Sequence, residues 1–236
     1  MLILAFETSA KAASVALTDG AKLLGESYQN TGLTHSQTLL PMAEELLKSC
    51  GYTPQQVEAV AVAAGPGSFT GIRIGVAAAK GFAWGKELPC CGVSTLEAMA
   101  RSLGAYQGLV VPVMDARRSQ VYTATFRAEA GALTRLCEDR AISLQQLGEE
   151  LKNVKEPIFL VGDGSIVCYN ALEKTVENLI LPPEHRMHQQ AVGVALAAQK
   201  LIDAGLPGDG AQLQPNYLRL SQAERERQEK ERNTKE

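Results

Sequence analysis

Two acidic residues stand at equivalent places in the two halves of the sequence. Glu7 directly follows an apolar run and precedes Thr8 and Ser9, and Asp115 directly follows a second apolar run, 109–114. Carboxylates at strand ends can hold Mg²⁺ or orient water, and neighbouring hydroxyls can contact phosphate oxygens. The pattern supports one interpretation of the chain, a nucleotide-dependent phosphotransferase or ATPase that uses Glu7 and Asp115.

A glycine-rich turn, 162–165, follows a third apolar run and leads into a predicted helix. Free backbone N–H groups at such a helix start can face an anion. The candidate nucleotide-binding residues are Glu7, Thr8, Ser9, Asp115, Gly162 and Gly164. Asp163 adds a negative charge to this turn, and Arg117 and Arg118 make the turn after Asp115 bulky, so both features disfavour tight ATP binding. The alternative is an inherited geometry that holds no ligand.

The longest glycine-rich stretch, 65–75, connects a predicted buried strand, 57–62, to a predicted helix that begins at Gly71. The spacing of Gly65, Gly67 and Gly71 fits neither the dinucleotide fingerprint nor the P-loop. The stretch therefore predicts a strand-to-helix crossover without a known phosphate-binding motif.

Two predicted helices, 36–50 and 71–84, carry apolar side chains over more than one stripe. A helix that is apolar on most sides must be covered on most sides. One side can lie on the chain's own sheet, and the other must meet a second element of this chain or a partner. The simpler alternative for 71–84 is an ordinary central helix of an α/β domain.

Strand-forming runs at 2–6, 13–18 and 23–28 predict an antiparallel meander, and the runs 109–114 and 121–126 repeat its beginning. Two such units imply a duplicated α/β fold. The break at residues 104–108 is the predicted domain boundary. We expect an N-terminal domain of residues 1–104 plus 189–220, a smaller second domain of residues 105–188, and a charged tail of residues 221–236.

The composition is that of an ordinary soluble globular protein, with 45% hydrophobic residues and a net charge of −3. This charge disfavours strong direct binding of nucleic acid by the chain alone. The five cysteines contain no C-x-x-C pair, which argues against a zinc knuckle or a disulfide framework. The apolar N-terminal run is too short for a signal peptide, and no stretch is long enough to span a membrane, so we expect a cytoplasmic protein.

The duplicated strand and acid-turn units resemble the superfamily of actin, sugar kinases and heat-shock ATPases (ASKHA). Within it, the segments 6–9, 35–41 and above all 65–75 resemble the TsaB family, also called YeaZ, and the resemblance extends to about residue 220 through Pro215–Arg219. It implies two duplicated actin-like, RNase H-like α/β domains with mixed sheets flanked by helices.

The resemblance further implies a non-catalytic subunit of the complex that transfers a threonylcarbamoyl group to N6 of adenosine 37 in ANN-decoding tRNAs. Its partners would be the transferase TsaD, the ATPase TsaE and, when TsaD is absent, a second copy of itself. It would meet tRNA only through the complex and would bind no membrane. No cofactor is implied for the chain, and a nucleotide at the interface of the complex is left open.

The metal-binding His-x-x-x-His motif of TsaD would fall on Thr95 and Met99 of this sequence. A hydroxyl and a thioether cannot replace two imidazoles, so we expect no metal site and assign no catalytic residue. A peptidase is a third interpretation, but no metal pair, nucleophile elbow or Cys/His arrangement supports it. His185 and His188 lie in a polar segment without a third ligand and are interpreted as solvated surface residues.

The resemblance places the partner surface on the two apolar helices. Gly75 and Ala79 would allow close helix approach, apolar side chains would supply buried area, and Arg73 would add a contact at the rim. The predicted interface residues are His35, Leu39, Met42, Ala43, Leu46, Ile72, Arg73, Gly75, Val76 and Ala79.

Overall fold

The structure is a computed structural model that describes residues 1–104 and 106–219, so the predicted tail 221–236 lies outside the described residues. Its first sheet has the strand order β3-β2-β1-β4-β5. The strands β1 to β3 form the predicted antiparallel meander, and β4 and β5 run parallel to β1. Their bounds are β1 Leu2–Glu7, β2 Ala13–Asp19, β3 Lys22–Gln29, β4 Ala59–Gly65 and β5 Cys90–Ser94.

The second sheet repeats this arrangement with the order β10-β7-β6-β11-β12, while β8 pairs with β6 and β9. The strands β6, β11 and β12 are parallel, and β7, β8 and β10 join antiparallel to their neighbours. The bounds are β6 Gly108–Asp115, β7 Gln120–Thr123, β8 Phe126–Glu129, β9 Ala132–Arg135, β10 Arg140–Ser143, β11 Ile158–Val161 and β12 Leu179–Ile180. The repeated strand order confirms the predicted duplication.

Helices flank both sheets at matching places in the two repeats. A helix follows the meander in each repeat, and a second helix follows the central parallel strand. The helices are α1 His35–Ser49, α2 Phe69–Trp84, α3 Thr95–Leu103, α4 Leu144–Leu151, α5 Ser165–Leu172, α6 Glu184–Met187 and α7 Ala191–Asp203. We call the part of the chain built on the first sheet the first lobe and the part built on the second sheet the second lobe. In the first lobe α1 and α2 cover one face of the sheet with apolar side chains, and α7 covers the other.

The helix α3 packs on both lobes. Its Ala98 joins the core beneath α7, whereas Leu96 and Met99 join a core with Phe126 and Phe159 of the second sheet. Burial of these side chains favours association of the two lobes by roughly 25 cal/mol for each Å² removed from water. The lobes are therefore joined through α3, which contributes side chains to an apolar core on each side, as well as through the chain.

Residues 206–219, named the strap below, cross the first sheet after α7. The N–H of Cys90 donates to Gly208 O at 2.9 Å, and the N–H of Asn216 donates to Ala64 O at 2.6 Å. The ammonium group of Lys80 on α2 donates to Leu213 O at 3.1 Å. The strap is thus fixed to β4, β5 and α2.

Candidate functional site

The turn between β1 and β2, which carries the candidate phosphate-binding hydroxyls, packs directly against the beginning of α2. The hydroxyl of Thr8 donates to Gly71 O at 2.8 Å, and the N–H of Ser68 donates to Ser9 O at 2.7 Å. A Cβ at Gly67 would lie 2.5 Å from Ser9 O. Because Thr8 and Ser9 are fully buried, the chain's own crossover closes this turn.

Glu7 is fully buried beside this turn and has no cationic partner within residues 1–104 and 106–219. Its Oε1 accepts a hydrogen bond from the N–H of Ser9 at 2.6 Å, and its Oε2 has no partner among the described residues. Burial raises the pKa of the Glu7 carboxyl to about 7, against the lowering effect of the hydrogen bonds from Ser9 and with a small further rise from the charge of Asp163. Near neutral pH a large share of this carboxyl is therefore protonated.

The remaining candidate nucleotide-binding residues lie on the second lobe. Asp115 is exposed and accepts the N–H of Arg117 at 2.7 Å, and the N–H of Gly164 donates to Val113 O at 3.1 Å. The N–H of Gly162 donates to Met187 O at 2.6 Å. Asp115 and Gly164 line a cavity of about 350 Å³. Glu7, Thr8 and Ser9 thus lie in a closed turn, Asp115 and Gly164 line an open cavity, and Gly162 is hydrogen-bonded to Met187 outside that cavity.

Thr95 and Met99, the two positions at which the sequence analysis places the metal motif, are both fully buried on α3. Met99 packs in the core between the lobes, and a Cβ at Gly162 would lie 3.0 Å from its sulfur. In the described ranges 1–104 and 106–219, no three or more His, Cys, Asp or Glu side chains form a group that could hold a metal ion. Both residues at the motif positions therefore serve packing.

Most of the predicted partner residues are buried in the chain's own core, and their assignment to a partner interface stays a prediction. Arg73 is exposed, and the half-buried His35 contacts Ala10 O through Nε2 at 2.9 Å. The buried residues are Leu39, Met42, Ala43, Leu46, Ile72, Gly75, Val76 and Ala79. These residues form the face of α1 and α2 that packs on the first sheet. Burial in the chain's own core produces the same apolar periodicity as burial in an interface.

The side of α2 that faces solvent is also apolar. Ala77, Gly81 and Trp84 are exposed, and Trp84 is 82% exposed. Ile74 and Phe82 beside them are half-buried. We name this set, Ile74, Ala77, Gly81, Phe82 and Trp84, the α2 stripe. The α2 stripe includes none of the predicted interface residues, but it lies on one of the two helices to which the sequence analysis assigns the partner surface.

A groove of about 510 Å³ lies between α1 and α2 beside the stripe. Its apolar lining comes from Leu40, Leu47, Tyr52 and Phe82. Leu40 is 53% exposed, so apolar surface continues from α2 to α1. Contiguous exposed apolar surface of this kind is typical of a protein interaction site.

The strap brings Tyr217 to the beginning of α2, an association that sequence reasoning missed. The rings of Tyr217 and Phe69 stack with centroids 4.9 Å apart, and the guanidinium of Arg73 lies 3.7 Å from the Phe69 centroid. The Nε–H of Arg73 donates to the hydroxyl of Tyr217 at 2.8 Å. Two residues later, Arg219 donates to Ala116 O at 3.0 Å. The motif Pro215–Arg219 therefore connects α2 to the turn of the second lobe.

A polar network also crosses between the lobes. Arg135 of β9 donates to Asp139 at 2.6 Å and to Glu97 of α3 at 3.1 Å, and Arg101 binds the same Glu97 at 2.7 Å. Ser94 donates to Asp139 at 2.5 Å. Burial raises the pKa of Glu97, but the hydrogen bonds and charges of the two arginines outweigh it, so this pKa lies below its ordinary value. The network is thus charged at neutral pH.

Within the described chain, every helix is too short or too polar to cross a lipid bilayer.

Comparison with known proteins gives matches over most of the chain. The family model described as TsaD, tRNA N6-adenosine threonylcarbamoyltransferase, matches residues 29–227. The Bacillus subtilis (strain 168) tRNA threonylcarbamoyladenosine biosynthesis protein TsaB is 32% identical over 225 residues, which are 95% of this chain and 96% of that protein.

Solved structures give the same result at the level of the fold. YeaZ from Pseudomonas aeruginosa superposes with a TM-score of 0.73 and 26% identity, covering 92% of this chain and 99% of that one. The (R)-2-hydroxyglutaryl-CoA dehydratase component A of Acidaminococcus fermentans is only 12% identical, with a TM-score of 0.52 over 85% of this chain and 98% of that one, and shares the fold alone. The chain therefore has the actin-like fold of two duplicated α/β domains that the sequence predicts.

Proposed function

The chain belongs to the TsaB (YeaZ) family and has a role in biosynthesis of the tRNA nucleoside threonylcarbamoyladenosine, and from this premise we propose that it is a non-catalytic subunit that binds and supports the transferase TsaD. The reaction itself, transfer of a threonylcarbamoyl group to N6 of adenosine 37 in ANN-decoding tRNAs, takes place on TsaD. In the same proposal the chain helps to recruit the ATPase TsaE.

The exposed α2 stripe is the observation that carries this proposal. Trp84 stands 82% exposed at the end of a helix whose solvent side also presents Ala77 and Gly81. Tryptophan is among the residues that contribute most to binding energy in interfaces, and small neighbours allow a partner helix to approach closely. TsaD is the partner, and a second copy of this chain occupies the same stripe when TsaD is absent.

The burial of Thr95 and Met99 and the closed turn beside Glu7 both support a role without catalysis. Thr95 and Met99 are buried where TsaD carries metal-binding histidines, and the hydroxyl of Thr8 is engaged by Gly71 O. A phosphate that entered the turn at Glu7 would have to displace the beginning of α2. The open cavity beside Asp115 is the remaining place for a nucleotide, which we assign to the interface of the complex.

We also retain the domain limits of the sequence analysis, with residues 1–104 plus 189–220 carrying the partner surface and residues 105–188 forming the second domain. The complex assembles in the cytoplasm, and tRNA is bound by the complex and not by the free chain. The net charge of −3 supports this last point, because a free chain of that charge has little general attraction for RNA.

The test is reconstitution of the reaction from purified proteins. The chain is mixed with TsaD, with and without TsaE, and threonylcarbamoyladenosine formed on tRNA is measured from supplied threonylcarbamoyl-adenylate. Each protein alone is the control. We expect product only where this chain and TsaD are both present. Transfer or ATP turnover by the chain alone would overturn the proposal in favour of the phosphotransferase that uses Glu7 and Asp115.

A further inference from the structure

Positive charge is concentrated on one part of this acidic chain. The helix α2, the strap residues 210–219 and the turn 116–120 contain no aspartate or glutamate, although the chain as a whole has a net charge of −3. Their cationic residues are Arg73, Lys80, Arg117, Arg118 and Arg219. Two acids directly precede these segments, Asp115 before the turn and Asp209 before the strap residues 210–219, and Asp115 accepts a backbone N–H from the turn. The five cationic residues against these two acids leave a net local charge of +3.

Direct contacts make these segments one continuous surface. The Nε–H of Arg73 donates to the hydroxyl of Tyr217. Two residues further along the strap, Arg219 donates to Ala116 O, which directly precedes the two arginines of the turn. We name the surface formed by Arg73, Tyr217, Arg219, Arg117 and Arg118 the basic rim. It adjoins the N-terminal end of α2, whereas Trp84 and Gly81 of the α2 stripe lie near the C-terminal end.

The side chains of the rim are held by defined structure. The guanidinium carbon of Arg73 lies 3.7 Å from the centroid of the Phe69 ring, and the Nε–H of Arg73 donates to the hydroxyl of Tyr217. The turn adopts left-handed backbone conformations at Arg117, Arg118 and Ser119, with φ of 61°, 55° and 55°. Such conformations persist only where the surrounding structure enforces them, and they cluster at functional sites. Here hydrogen bonds between Ala116 and Gln120 and from Leu144 N to Ser119 O enforce the turn.

We propose that the basic rim binds the sugar-phosphate backbone of tRNA in the complex, an inference that rests on the proposed function. Arginine forks match phosphate oxygens geometrically, and several of them on one surface suit a polyanion. The rim is cationic and polar, while Trp84, the most exposed large side chain of the α2 stripe, lies at the other end of α2. The N-terminal end of α2 thus suits a phosphate backbone, and its C-terminal end suits an apolar protein surface.

The test measures tRNA binding by the assembled complex of this chain with TsaD. Fluorescence anisotropy with a labelled ANN-decoding tRNA transcript gives Kd over a series of KCl concentrations. The variant carries Arg73→Gln and Arg118→Gln, and the matching variant with Arg73→Lys and Arg118→Lys keeps both charges. Arg127→Gln is a second control, because Arg127 is an exposed arginine on the second lobe away from the rim.

We expect the glutamine variant to raise Kd at least tenfold near physiological salt. The slope of log affinity against log salt should fall by about 1 to 2, since each phosphate contact contributes about 0.7 to 0.9. The lysine variant should keep the slope, and Arg127→Gln should match wild type. Affinity for TsaD is measured for each variant first, and tRNA binding is then compared at protein concentrations at which the complex is fully formed.

Unchanged Kd and slope in the glutamine variant would overturn the inference. So would a loss of affinity for TsaD with normal tRNA binding by the complex once formed, because the rim would then face an acidic protein surface. If the wild-type chain formed no complex with TsaD, the proposed function and this inference would both be wrong, and that result precedes any tRNA measurement.

Discussion

Gly75 on α2 faces the hydroxyl of Thr8 so closely that a Cβ at position 75 would lie 2.4 Å from Thr8 Oγ1 and 3.1 Å from Val62. That hydroxyl is also the group that donates to Gly71 O. The glycines of the crossover therefore allow α2 to pack on the β1–β2 turn within one chain. Within the chain the nearest neighbour of Gly75 is Thr8, and the assignment of Gly75 to a partner interface stays a prediction.

This contact predicts opposite effects for two glycine-to-alanine changes in the same helix. Gly75→Ala should destabilise the fold by about 2 kcal/mol, because overlap with Thr8 outweighs the helix propensity of alanine. Gly81→Ala should stabilise it by about 0.5 to 1 kcal/mol, because a Cβ there meets no atom within 4 Å. Urea denaturation measures both changes. Equal stability of the two variants would contradict the close packing at Gly75.

The α2 stripe predicts that Trp84→Ala reduces affinity for TsaD without loss of stability. A residue 82% exposed contributes little to the chain's own core, whereas removal of a central tryptophan from an interface typically costs more than 2 kcal/mol, about thirtyfold in Kd. Isothermal titration calorimetry measures the affinity. Ile166→Ala, an exposed apolar change on the second lobe, is the control and should bind as wild type does. Normal affinity of Trp84→Ala would place the partner surface elsewhere.

The buried Glu7 carboxyl predicts a specific pH dependence of stability. Its pKa is about 7 in the folded chain and 4.5 without burial, so folding favours the protonated form. The contribution of Glu7 to stability is therefore complete below pH 4.5 and is lost as pH rises through 7. Glutamine does not ionise, so Glu7→Gln does not lose stability in this pH range as wild type does. The free energy of unfolding of Glu7→Gln minus that of wild type should therefore increase by about 2 to 3 kcal/mol between pH 5 and pH 8.

Urea denaturation of both proteins across this pH range checks the prediction. The difference between them isolates Glu7 from the other acids, including Glu97, whose pKa is shifted in the opposite direction. Parallel stability curves for wild type and Glu7→Gln would show that the carboxyl stays ionised in the folded chain.

The duplicated fold was predictable because apolar runs and acid turns recur along the chain, as at Glu7 and Asp115. The prediction of β4 over residues 57–62 was displaced from Ala59–Gly65, since small residues continue the strand to the glycine turn. The helix α4 is absent from the prediction, although its Leu144, Leu147 and Leu151 recur at helical spacing, because eight residues are too short a pattern to identify a helix. The duplication does indicate it, because α4 follows β10 as α1 follows β3. The helix predicted after the turn 162–165 is α5, which ends at Leu172.

The site was less predictable than the fold because one apolar pattern serves two purposes. Ile72 and Val76 have the periodicity of an interface, but they face the first sheet, and the free apolar surface is on the opposite side of α2. Sequence alone cannot tell which of two apolar sides the sheet covers. The stack of Phe69 and Tyr217 joins residues 148 positions apart, so only the path of the strap reveals it.

The network between the lobes predicts unequal effects for two arginines that bind the same glutamate. Arg135→Gln removes the charged hydrogen bonds to Asp139 and Glu97. It also removes the contact of the guanidinium with the Phe126 ring at 4.7 Å. We therefore expect the free energy of unfolding to fall by about 2 kcal/mol. Arg101→Gln removes a pair four residues apart within α3, and a loss of about 0.5 kcal/mol is expected. Urea denaturation at low and high salt compares them. If the two losses were equal, β9 would contribute no more to joining the lobes than the pair within α3 does, and the shared apolar core around α3 would be the main connection.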